Sequence, residues 1–79
     1  MGKDVSKFTK KLGENVARLR KEKELTQEQL SERLGIVKQN ISRLERGGVN
    51  PTAYFIFKLS KALEVPVEEI TNQEVKHEA

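Results

Sequence analysis

Lys38, Gln39, Ser42 and Arg43 recur at helical spacing within GIVKQNISRLERG, residues 35–47, and all four carry N–H or O–H donors. Positions four apart lie together on a helix, so two turns would set these side chains along one face. Such a set has a definite chemistry. A Gln carboxamide pairs with the N6 and N7 edge of adenine, and Arg or Lys with O6 and N7 of guanine. Arg46 at the far end of the segment and Asn50 beyond it offer donors to phosphate oxygens. Gln27 opens the preceding helix, where main-chain N–H groups and the positive dipole end favour an anion. No catalytic constellation competes with this one. The single His, His77, lies in a polar tail, Cys is absent, and there is no nucleophile motif, metal-ligand spacing or phosphate-cradling Gly loop. An enzyme is not expected, nor a cofactor, a metal or a small-molecule ligand.

Donors read a groove only if something holds them in register. Ile41 and Leu44 fall on the opposite side of the same helix, predicted over about residues 38–46. The helix before it is capped by Thr26, with Gln29 completing a capping box and Leu25 and Leu30 forming a hydrophobic staple. Leu30 and Leu34 face inward, and Ser31 is small enough for a steep helix crossing. Gly35 supplies the positive φ that reverses the chain, and Ile36 plugs the turn. Together these offsets predict a helix-turn-helix whose second helix enters the major groove of double-stranded DNA. Val37 stands where Ser, Thr, Asp or Asn usually caps a helix. The amides left uncapped there, beside Lys38, are placed to take a phosphate.

The remaining chain supplies support. Leu12, Val16 and Leu19 predict a first helix over about residues 9–23, after a polar arm at 1–8. A fourth helix follows the Thr52 cap over about 53–63, and Val67 and Ile70 belong to a short fifth; residues 71–79 form a polar tail. Seventy-nine residues suit one small domain, here residues 9–70, and the fold class is all-α. Residues 1–50 hold 12 Lys and Arg against 7 Asp and Glu, whereas residues 51–79 hold 3 against 5, so the half containing the donor helix suits a polyanion. No stretch could serve as a signal peptide or span a bilayer, and a chain without Cys fits a reducing cytoplasm.

LTQEQLSERLGI, ISRLERGGVNPT and LSKALEVPVEEI together resemble the Cro/repressor, XRE-like helix-turn-helix family of bacterial and phage regulators, over about residues 9–70. The resemblance implies a compact five-helix bundle of the lambda-repressor-like type. It also implies a transcriptional regulator, a repressor, that binds a near-palindromic operator as a homodimer. By position it pairs Arg20 with Glu45 as a structural tie. Three positions depart from the family pattern: Val37 replaces a hydroxyl cap, Glu64 a Gly or Asn after the fourth helix, and Pro66 a Ser cap.

A second surface is legible in Tyr54-Phe55-Ile56-Phe57. Successive helical residues turn by about 100°, so four large apolar side chains cannot all face one core. At least one must project outward; Tyr54 or Phe57 is the expected one and, with Val67 and Ile70, is a candidate homodimer contact. The alternative cover is the chain's own arm at Phe8 or its tail. The same aromatic run would also serve a module whose main partner is another protein.

Overall fold

Leu12, Val16 and Leu19 are buried along one side of α1 (Lys3–Glu22), the stripe on which the other helices assemble. The chain continues through α2 (Gln27–Leu34), α3 (Lys38–Glu45), α4 (Ala53–Leu63) and α5 (Val67–Thr71). This computed structural model describes residues 3–74, and all regular structure among them is helical. α1 packs on α3 and α5, α2 on α3 and α4, and α4 on α5. One core results, built from Leu12, Val16, Leu19, Leu30, Leu34, Ile41, Leu44, Leu59, Leu63 and Ile70. Its Cα radius of gyration, 12.1 Å, is that of a compact bundle.

Local signals explain the boundaries. Thr26 Oγ1 accepts the Gln29 amide at 3.0 Å while Gln29 Oε1 accepts the Thr26 amide at 2.9 Å, a closed capping box. Thr52 Oγ1 accepts the Phe55 amide at 3.1 Å and starts α4. Gly35 ends α2 at φ 71°, ψ 30°, and a Cβ there would meet nothing within 4 Å, so conformation alone calls for glycine. Glu64 holds the same left-handed conformation after α4, at φ 58°, ψ 48°, at a Cβ cost that Gly would not bear.

Three expectations change. Helix α1 begins at Lys3 rather than near residue 9, so residues 3–8 extend the helix and do not form a separate arm. Their polar residues hid the continuation, while Phe8 packs against the core. The other correction is Ile70, offered above as a dimer contact: it is fully buried in the chain's own core and cannot meet a second molecule. Beside it, Asn15 donates through Nδ2 to the main-chain oxygens of Ile70 (3.0 Å) and Asn72 (2.8 Å), clasping the end of α5 to α1. Finally, Thr71 is the last residue of α5 and Asn72 is held to α1, so these two belong to the fold rather than to a tail, while His77 lies outside the described residues.

Candidate nucleic-acid interface

α3 is eight residues long, too short to be stable alone, and it is held by its neighbours. Ile41 and Leu44 are buried beneath it. The turn from α2 is fixed by the Ile36 amide donating to Ser31 O at 3.0 Å. Ser31 is itself buried at the crossing and donates through Oγ to Glu28 O at 2.7 Å.

The far end of α3 is secured by charge. Arg20 donates from Nε to Glu45 Oε2 at 2.6 Å and from Nη2 to Oε1 at 3.1 Å, a bidentate pair with both side chains largely out of solvent. Its Nη1 reaches Leu25 O at 2.7 Å. Gln27 Nε2 adds a third donor to the same carboxylate, to Oε1 at 2.9 Å. A carboxylate in the last turn of a helix opposes the helix dipole; here three N–H donors from α1 and α2 compensate it. One side chain thus locks α1, α2 and α3 together.

Gly13 brings α1 close enough for that lock. A Cβ at Gly13 would lie 2.3 Å from Leu44 O and 2.7 Å from Glu45 O, so only glycine lets α1 lie against the end of α3. This residue escaped the sequence reasoning. Its one signal was an isolated glycine inside a helical pattern, where a packing reason is the usual explanation.

With the inner side of α3 occupied, Lys38, Gln39 and Arg43 are exposed and Ser42 is half-buried. Arg46 is exposed and donates from Nη1 to Ser42 Oγ, joining the end of the helix to its middle. Asn50 is exposed in the loop before α4. The Gln27 side chain, by contrast, is half-buried and donates to Glu45 within the chain. Val37 begins α3 with no side-chain cap hydrogen bond and is 60% exposed.

Away from α3, Tyr54 and Phe57 are 70% and 50% exposed on α4, and Val67 is exposed at the start of α5. Lys58 Nζ lies 5.8 Å from the Tyr54 ring centre and Lys61 Nζ 5.2 Å from that of Phe57. Phe8, offered as one possible cover for these rings, packs on the core instead.

Two short helices joined by a glycine turn, the second presenting amide and guanidinium donors outward, define a helix-turn-helix DNA-binding fold. The helix-turn-helix family model matches residues 16–70, and the chain belongs to that family. Over 56 residues it is 50% identical to an uncharacterized HTH-type transcriptional regulator, y4dJ, of Sinorhizobium fredii, covering 71% of this chain and 73% of that one. It is 34% identical to the transcriptional regulator SinR of Bacillus subtilis over 68 residues, 85% of this chain and 60% of SinR. Among solved structures, the restriction-modification controller protein C.AhdI of Aeromonas hydrophila superposes with a TM-score of 0.72 at 33% identity, covering 85% of this chain and 96% of that one. An HTH_3 family regulator from Vibrio cholerae, at 23% identity and a TM-score of 0.78 over 84% of this chain and 37% of its own, shares the fold. Relatives and fold alike are those of DNA-binding transcriptional regulators rather than enzymes. No helix among the described residues is long and apolar enough to cross a membrane.

Proposed function

We propose that this chain is a sequence-specific repressor that binds a near-palindromic operator in the cytoplasm as a homodimer, with α3 in the major groove. The observation that carries this is the exposure of Lys38, Gln39 and Arg43 on a helix whose other side is anchored by Ile41 and Leu44. Lys38, Gln39, Ser42 and Arg43 read base edges, and Arg46, Asn50 and the start of α2 at Gln27 set the register on phosphates. The exposed Tyr54, Phe57 and Val67 form the contact between protomers. Large exposed aromatics beside one another are the usual centre of an interface.

Selection of bound sequences from a random DNA pool tests the proposal directly. The expected product is a pair of half-sites about one helical turn, roughly 34 Å, apart. Placed over a promoter, that sequence should lower reporter transcription when the protein is expressed. An unenriched pool, or binding insensitive to salt, would overturn the DNA-reading role.

The exposed aromatic face also favours a second reading, in which another protein is the main partner. It predicts loss of function in Phe57→Ala and none in Lys38→Ala or Arg43→Ala.

A further inference from the structure

Four helices start at a residue in the extended conformation, and two of them, α3 at Val37 and the five-residue α5 at Pro66, have no side-chain cap hydrogen bond. Thr26 and Thr52 close their helices with side-chain hydrogen bonds, whereas Val37 has none to give. The same residue contributes nothing to the core: it is absent from the buried cluster and from the partly buried side chains packed on it, and is 60% exposed. The other exposed large apolar side chains, Tyr54, Phe57 and Val67, lie on α4 and α5. Among the described residues, Val37 is the exposed large apolar side chain next to the outward donors, immediately before Lys38 and Gln39. A hydroxyl here would cap the helix; the valine forgoes that hydrogen bond and is not among the side chains packed on the core.

We propose that Val37 determines specificity by packing its two methyl groups against the 5-methyl group of a pyrimidine in the major groove. The inference rests on the DNA-reading role above and assigns it one further base contact. The leading residues of a recognition helix are those that reach base edges. The major-groove edge of thymine is the one unmodified edge that presents a methyl group, and apolar side chains are what contact it. Lys38 and Gln39 supply polar donors next door, so Val37 adds a contact of a different kind: a base chosen by apolar surface. Desolvation of methyl against methyl acts without charge, so this contact does not change the salt dependence. Thymine carries the group in unmodified DNA and 5-methylcytosine in methylated DNA.

The test uses the full chain and the operator recovered by selection. Each thymine of a half-site is replaced in turn by deoxyuridine, and each cytosine by 5-methylcytosine, and affinity is measured for the wild type and Val37→Ala. At one thymine per half-site, uracil should weaken the wild type about fourfold, the effect of losing one buried methyl, and leave Val37→Ala unchanged. A Val37-dependent gain of similar size on methylating a cytosine upholds the same contact with the other source. If the unmodified operator binds but no methyl change is felt differently by the two proteins, the inference is overturned and the DNA-reading role stands. If selection enriches nothing, the DNA-reading role itself fails. Val37 is exposed, so the variant folds, and a matching salt slope for the two proteins confirms that their phosphate contacts agree.

Discussion

At Gly13 one hydrogen atom in place of a methyl group decides how closely two helices approach. In an exposed helix, Gly→Ala would be stabilising by about 1 kcal/mol. Here the added Cβ would overlap the Leu44 and Glu45 carbonyl oxygens, which belong to the backbone and cannot rotate away. Gly13→Ala should therefore lower stability by about 1–3 kcal/mol, a fall of some 4–8 °C in melting temperature per kcal/mol, and should weaken DNA binding by displacing the end of α3. Thermal unfolding followed by circular dichroism checks the sign. Glu64 presents the converse case. A left-handed φ costs a side-chain-bearing residue about 1–2 kcal/mol, and Gly removes it while adding freedom to the unfolded chain. Glu64→Gly should raise the melting temperature by a few degrees, and an unchanged or lower value would show that the turn carries no strain.

Between elements, the ties are few and placed at helix ends. Arg20 and Glu45 are almost sequestered from water, so removing one strands the other. Arg20→Ala should cost about 3 kcal/mol or more, read from urea unfolding. Arg18 and Glu22, 3.3 Å apart but half-exposed, are a useful contrast; Arg18→Ala should change stability by less than about 0.5 kcal/mol. Asn15 joins α1 to the last turn of α5 through two carbonyls. Its replacement by Ala should cost about 1–3 kcal/mol and should loosen α5 first, visible as faster amide exchange there. The Arg–Glu tie was legible only through family resemblance, because 25 residues separate the partners. The Asn15 clasp, spanning 55 and 57, left no trace in the sequence, since a lone Asn in an amphipathic helix looks like a surface residue.

At the scale of the molecule, two surfaces stand exposed among the described residues: the basic outer side of α3 and the aromatic side of α4. Charge dictates how the first behaves. If Arg46 neutralises one phosphate, Arg46→Ala should reduce the slope of log affinity against log salt by about 0.9 while leaving the selected sequence unchanged. An unaltered slope would remove Arg46 from the phosphate contacts. Shape and hydrophobicity govern the second. Phe57→Ala should shift sedimentation from dimer to monomer at micromolar concentration, and a wild type already monomeric there would refute the aromatic contact.

The amino-acid sequence by itself determined the helical class, the capped start of α2, the glycine turn and the outward donors of α3. All of these follow from period, capping and φ, which act within a few residues. Tertiary structure alone decided the rest. Burial of Ile70 rather than its availability to a partner, the close approach at Gly13, the turning of Gln27 onto Glu45 and the inclusion of residues 3–8 in α1 each depend on elements far apart in sequence. Those outcomes are set by which surfaces meet when the helices pack, and residue order carries that information only through the three-dimensional contacts it produces.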